Sequence, residues 1–389
     1  MENNREIKKA GLLYLIGNLF NKGIVFLTMP IFTRILSTYD YGIVTTYNSW
    51  VAILNMILGC ALTMGVRASF IDYDKETDSF IATIIRFTLF VTFAATSVSV
   101  IVCVVFRIQS MSLMIVALCF LHGGFWAILD DYLQYLMMKF KYMARTMLMI
   151  LPNLLASLLS IAVILLLFDE NLYMGRIIPT AVVYISFGVF ISVYILKSRN
   201  KIDKQNEYIK YALSISSPLI VHGIALNLLS LSDRIMITWL ADASQTGIYS
   251  LIYNFSMLAT VITTSFDGLW VPYFIEKLKC HNINDINEKV KWYINLMTIT
   301  MICLVLAGPE IVKLLASSDY WAGIYIIPPI VLSNYLIFSY TLYVNTEHFY
   351  KKTISITRYT VVAAITNIIA NYFLIPHYGY VAAAYTTLF

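Results

Sequence analysis

The sequence predicts an all-α polytopic membrane protein of about 12 transmembrane helices, and three observations lead there. Hydrophobic residues make up 59% of the chain and charged residues only 13%, well outside the range of water-soluble domains. From Leu12 onward the apolar residues run in long stretches broken by short charged segments. A stretch of ~20 such residues is what a helix needs to cross the hydrocarbon core. The breaks themselves alternate between rich and poor in Lys and Arg, as expected of a chain threading back and forth between two different compartments.

In order, the predicted spans are Leu12–Thr33, Gly42–Met64, Phe80–Phe106, Met111–Met137, Thr146–Phe168, Tyr173–Leu196, Tyr211–Leu240, Thr246–Phe274, Lys291–Gly308, Ala322–Thr346 and Ile356–Ile375. A twelfth begins at Tyr378 and stops partway at Phe389, so the last helix reads as incomplete. The first span follows Arg5, Lys8 and Lys9, as a signal peptide would. It is too long for one, and no small-residue cleavage site follows; Pro30 to Asp40 reads as a helix end and a loop.

The composition also excludes whole classes of function. Cys60, Cys103, Cys119, Cys280 and Cys303 are scattered and odd in number, which points away from a disulfide framework and from a metal site. No cofactor is called for. The formal charge of +5 is not gathered into one patch, so nothing suggests nucleic acid as a partner. No P-loop pattern is present, so ATP is not hydrolysed by the chain itself. The largest loop, around Lys277 to Lys289, is too short for a catalytic domain. The chain does not read as an enzyme.

Orientation comes from charge. One set of breaks holds Arg5, Lys8, Lys9, then Arg67, Lys75, Arg86, then Lys139, Lys141, Arg145, and the set continues at 197–210, 277–291 and 351–358. Those breaks carry 21 basic residues, and the alternate breaks carry 4, namely Arg34, Arg107, Arg176 and Lys313. Lys and Arg beside short loops stay on the cytoplasmic side. The N-terminus and the link Lys197–Lys210 are therefore predicted to be cytoplasmic.

The charged stretch Lys197–Tyr208 divides the chain into two six-helix lobes, 1–200 and 201–389. "TRILSTYDYGIVTTYN" (Thr33–Asn48) resembles "ITWLADASQTGIYSLIYN" (Ile237–Asn254), with Leu36 against Leu240, Gly42 against Gly247 and Tyr47-Asn48 against Tyr253-Asn254. Asn153 and Asn367 match near the ends of the lobes. Both lobes start on the same side, so these are parallel repeats, and in such carriers the substrate site lies between the halves near the midplane.

These residues also resemble a family. "LYLIGNLFNKGIVFLTMPIFTRILSTYDYG", with the polar-aromatic second helix after it, is similar to the opening of the Wzx-type oligosaccharide flippases, polysaccharide transporters of the multidrug/oligosaccharidyl-lipid/polysaccharide exporter superfamily. "NIIANYFLIPHYGYVAAAYTTL" (Asn367–Leu388) is similar to that family's penultimate loop and the start of its last helix. The resemblance implies two six-helix lobes around a central, partly cationic cavity that opens alternately to each side. It further implies a cargo of undecaprenyl-pyrophosphate-linked oligosaccharide, carried outward across a bacterial inner membrane for O-antigen- or capsule-type polysaccharide. Membrane lipid, a polysaccharide polymerase and a chain-length regulator are the partners it implies.

Several spans carry polar residues that lipid would not tolerate; such groups face a bundle interior or a wet cavity. In span one, Asn18, Asn21, Lys22, Thr28 and Thr33 share an arc of about 140° at 100° per residue. In span seven, His222, Asn227, Ser230, Asp233 and Arg234 share a similar arc. Span eight groups Tyr253, Ser256, Thr260, Thr263, Thr264 and Asp267, and span four groups His122, Asp130 and Gln134 with Asp131 at the edge. Pro30 and Pro218 would free backbone carbonyls in spans one and seven.

Candidate substrate-binding residues are thus Lys22, Arg234, Asn18, Asn21, Asp233 and His222; candidate ion-coupling residues are Asp130, Asp131 and Asp267. Each has a plainer role open to it. Asp233 and Arg234 would neutralise neighbouring helices, Asp130 and Asp131 would pair with Lys139 or Lys141, Asp267 would reach water, and His222 would be a hydrogen-bonded packing residue. Two other functions compete with the flippase. A multidrug or small-cation exporter would prefer an acidic, aromatic cavity to one holding Lys22 and Arg234. A membrane polysaccharide polymerase would need a long catalytic loop on the outer side, where all the breaks are short.

Overall fold

Helix is the only regular structure among the described residues of the computed structural model, which are 20, 23–24, 26–107, 112–197, 204–280, 282–350 and 353–388. Side chains at 218–219, 221–222, 261, 264–269, 272, 348, 353–355 and 357 are outside the description. An all-helical chain is what a bilayer demands, because each backbone N–H and C=O must find its partner within the segment.

The helices are α1 (Phe26–Ile35), α2 (Thr38–Leu58), α3 (Thr63–Asp72), α4 (Thr77–Val105), α5 (Leu113–Met138), α6 (Tyr142–Leu167), α7 (Leu172–Lys197), α8 (Gln205–Leu240), α9 (Ala243–Ser256), α10 (Leu258–Lys279), α11 (Ile283–Leu315), α12 (Ile327–Phe349), α13 (Thr353–Tyr378) and α14 (Tyr380–Thr386). Among the described residues, eight helical stretches are long and apolar enough to cross a membrane. They cover predicted spans two to six and nine to eleven, and spans seven and eight are helical as α8 and α9–α10.

Two predicted spans are broken. Span two, read as continuous, stops at Leu58 and restarts at Thr63. Between them Cys60 and Ala61 take positive φ of 47° and 48°, which side chains other than glycine rarely adopt. The turn is closed by N–H to carbonyl bonds from Cys60 to Ile57 (3.3 Å) and from Leu62 to Gly59 (2.9 Å). Ser216 Oγ donates to the Ala61 carbonyl (3.0 Å). Hydropathy is blind to such a break because the residues on both sides are equally apolar. Span eight is likewise interrupted, at Met257 between α9 and α10.

The chain clusters into two compact units, Met1–Thr28 with Tyr47–Leu228, and Met29–Thr46 with Leu229–Phe389. In the first, α5 packs against α4, α6 and α7. Small residues let the backbones close: a Cβ on Gly124 would run into Thr92 of α4, and one on Gly188 of α7 into Phe125. Phe80, Ile81, Ile84, Ile85, Ile128 and Leu136 form the core beneath. A polar clamp ties the α3–α4 turn to the start of α8. Glu76 accepts from Tyr208 and from Lys204 Nζ (3.0 Å), Asp72 accepts from Tyr211, and Tyr73 donates to Glu207 (2.9 Å). The bond to Glu76 holds the Lys204 ammonium above its ordinary pKa.

In the second unit the repeat becomes visible as geometry. Ser37 caps α2, accepting from the Asp40 N–H (3.0 Å), and Asp242 caps α9, accepting from the Gln245 N–H (2.9 Å). The two caps stand at matching places in the repeat, each with a polar side chain three residues on that reaches back to it. Just beyond them the two helix starts cross. A Cβ on Gly42 would collide with the Ala243 carbonyl, and one on Gly247 with the Thr38 carbonyl. One step further Ser250 Oγ donates to Thr45 Oγ1 (3.1 Å). The contact is reciprocal, as a two-fold pairing of equivalent segments must be.

Candidate functional site

Two polar constellations are buried in the described residues, one in each unit. The first lies at the break in span two. A pocket of about 440 Å³ is lined by Asn55 and Gly59 of the α2 end, by Leu62 and Thr63 after the break, by Trp126, Asp130 and Asp131 of α5, and by Gly223 and Asn227 of α8. Asp130 accepts from Asn55 Nδ2 (2.9 Å) and from Trp126. Asp131 is only 1% exposed, and its Oδ2 has no partner among the described residues. The internal pairing open to these carboxylates in sequence does not form at Lys139, whose ion pair is with Asp78 of α4 (3.0 Å). About two turns earlier, His122 is buried among Tyr47, Trp126 and Tyr184, with Nδ1 3.2 Å from the Tyr47 hydroxyl.

The second constellation centres on Asp233 of α8, 1% exposed. Its carboxylate collects three donors: Tyr249 OH (2.7 Å), Asn371 Nδ2 (2.7 Å) and Thr387 Oγ1 (2.8 Å). Asn371 also donates to Asn367 (3.1 Å) and accepts from Thr386. Arg234 is directed elsewhere. It is buried, donates to the Ser230 carbonyl (3.3 Å) and to Asn254 Oδ1 (3.4 Å), and places its guanidinium 4.6 Å from the centre of the Tyr253 ring. A guanidinium on an aromatic face is held there by the ring's negative face, and its two amino groups are spent on Ser230 and Asn254.

Of the other sequence-predicted residues, Asn18, Asn21 and Lys22 lie outside the described residues, and so do the side chains of His222 and Asp267. Thr33, on the polar face of span one, is a packing group whose hydroxyl donates to the Met29 and Leu315 carbonyls (both 3.0 Å). The sequence reading passed over Asn55, Asn371, Tyr249 and Thr387, and took Asn367 only as the repeat match of Asn153. Asn367 and Asn371 are four residues apart and share one helix face, so the arc reading applied to the other spans would have found them in span eleven. Asn55 had no such pattern around it.

The Asp233 network carries a stability prediction. Asp233→Ala removes one acceptor and strands donors on Tyr249 and Asn371, both fully buried, at about 1–3 kcal/mol for each orphaned group. The purified variant should unfold in detergent at a clearly lower temperature, and Asp233→Asn, which keeps one acceptor oxygen, should fall between it and wild type. Equal unfolding temperatures would remove the network from the list of stabilising contacts.

Comparison with known proteins agrees with this architecture. The family described as "Polysaccharide biosynthesis protein" matches residues 7–277. A Haemophilus influenzae protein of the Lsg locus is 20% identical over 371 residues, spanning 92% of this chain and 89% of its own. The lipid II flippase MurJ in its inward closed conformation has a similar structure, with a TM-score of 0.74 at 15% identity over 97% of this chain and 84% of that one. An inward-facing multidrug resistance MATE family transporter of the MOP superfamily gives 0.64 at 12% identity, over 94% and 90%. At such identities the structural likeness speaks for the fold alone, that of a multi-pass membrane protein. With more than half its length matched by the family, the chain belongs to the polysaccharide biosynthesis proteins.

Proposed function

We propose that this protein is a flippase that carries an undecaprenyl-pyrophosphate-linked oligosaccharide from the cytoplasmic to the outer leaflet of a bacterial inner membrane, by alternating access of two repeated lobes, 1–200 and 201–389. The observation that carries the reading is the polysaccharide biosynthesis match over residues 7–277, on a chain whose fold is like that of a lipid II flippase. Physical chemistry supports it. A lipid pyrophosphate moving through low dielectric needs a cation on its path, and Arg234 is a buried guanidinium in span seven. Lys22 supplies a second cation from span one, with Asn18 and Asn21 beside it as donors. At least one of Asp130, Asp131 and Asp267 links an ion to the transport cycle. The exported glycan passes to a polymerase and its chain-length regulator.

The test is depletion of the protein in its own host. Surface glycan should disappear while the lipid-linked oligosaccharide accumulates, reachable only from the cytoplasmic side. Full surface glycan in a complete deletion would end the proposal. Orientation is checked in the same cells. Cysteines placed at Lys201 and Lys279 should resist labelling from outside, and cysteines at Asp242 and Asp319 should accept it.

A further inference from the structure

We propose that the pocket at the break of span two is a binding site for a monovalent alkali-metal cation, held by Asp131 and Asp130 with oxygens of Asn55 and Asn227. The proposal rests on the coupling role given above to at least one of Asp130, Asp131 and Asp267, places that role at the first two, and supplies its ligand.

Four features of the pocket agree. The first is an unbalanced charge. Asp130 has two donors, from Asn55 and Trp126, whereas Asp131, 1% exposed, leaves Oδ2 without any. Among the described residues, no Lys, Arg or His lines the pocket. A buried carboxyl oxygen without a donor is costly until a proton or a cation satisfies it, and two adjacent carboxyl groups that share one proton balance a single monovalent cation. The second is the orientation of the amides. Asn55 spends its nitrogen on Asp130, and Asn227 spends its own on Met56 Sδ (2.9 Å) and the Gly223 carbonyl (3.1 Å). Both amide oxygens are thereby left as acceptors, and an all-oxygen donor set suits hard cations.

The third is the backbone. α2 ends at Leu58 against the pocket, so the negative end of its dipole adds to the field there. The chain then holds Cys60 and Ala61 at positive φ, a strained conformation kept where surrounding bonds over-determine it. Half-helix C-termini of this kind are where transporters coordinate small cations. The fourth is room. About 440 Å³ accepts on the order of ten waters at ~30 Å³ each, so an ion can enter hydrated and exchange waters for protein oxygens.

The experiment uses the full-length protein purified in detergent at fixed pH and ionic strength, with choline replaced stepwise by Li⁺, Na⁺ or K⁺, and with Mg²⁺ and Ca²⁺ as divalent controls. At least one alkali cation should raise the unfolding temperature saturably, and calorimetric titration should give the same affinity. Asp131→Asn should weaken that affinity at least tenfold while unfolding in choline no earlier than wild type, because it is isosteric and removes an unpaired buried charge. Asn55→Ala should weaken the affinity severalfold and serves if the first variant does not fold. No saturable effect of any alkali cation on wild type, a divalent-only effect, or unchanged affinity in both variants would overturn the site. Cation binding and glycan export are separate readouts, so loss of this proposal leaves the flippase reading standing, and the reverse also holds.

Discussion

Replacing Lys22 and Arg234 together with alanine is expected to abolish surface glycan while the protein still reaches the membrane in normal amount. A pyrophosphate carries its charges through a region where an unpaired anion costs several kcal/mol, and a charge-assisted hydrogen bond recovers about 1.5–3 kcal/mol of that. Losing two cations raises the transit barrier by a sum that slows export at least a hundredfold, since 1.4 kcal/mol is about a factor of ten. Lys22→Arg should keep part of the activity, because charge matters more than shape where the ligand must also leave. Arg234→Lys should do worse: the planar fork, now over the Tyr253 ring, has no ammonium counterpart. Quantitative surface-glycan measurement beside membrane abundance of each variant decides the matter. Normal glycan from the double variant would return both residues to a structural role.

Gly42→Val is expected to be among the most destabilising single substitutions in the chain. The first atom of any side chain at Gly42 meets the backbone carbonyl of Ala243, which cannot rotate away as a side chain could. The α2 and α9 starts must then separate, breaking the Ser250–Thr45 bond at a cost of about 3 kcal/mol or more. Gly247→Val should behave alike, because its Cβ meets the Thr38 carbonyl. The double variant should be little worse than either single one, since the first substitution has already opened the crossing. Gly23→Ala is the control: among the described residues nothing lies within 4 Å of its Cβ position, and alanine favours helix. Detergent unfolding temperatures of the four proteins check the set, and additive losses would show that the two glycines do not share one contact.

The all-helical, multi-pass architecture was determined by the sequence alone, because a bilayer leaves a long apolar run no option but helix. Membership of the polysaccharide biosynthesis family was legible as well, in the Leu13–Gly42 and Asn367–Leu388 motifs. So was the alignment of Gly42 with Gly247, although their meeting in space came only from the structure. The carboxylates of spans four and seven stood out because charge inside an apolar run is costly wherever it falls.

Partnership was decided only by the tertiary structure. Adjacent in sequence, Asp233 and Arg234 part company: one is held by Tyr249, Asn371 and Thr387, the other by Ser230, Asn254 and the Tyr253 ring. Lys139, the expected neighbour of Asp130 and Asp131, is taken by Asp78. The break at Gly59–Leu62 left no trace in hydropathy, since a turn among apolar residues has the composition of the helix it interrupts. Its own backbone bonds are joined by one from Ser216, more than 150 residues away. Periodicity along one helix shows which face is polar, but the group that meets that face belongs to another segment, and only packing brings the two together.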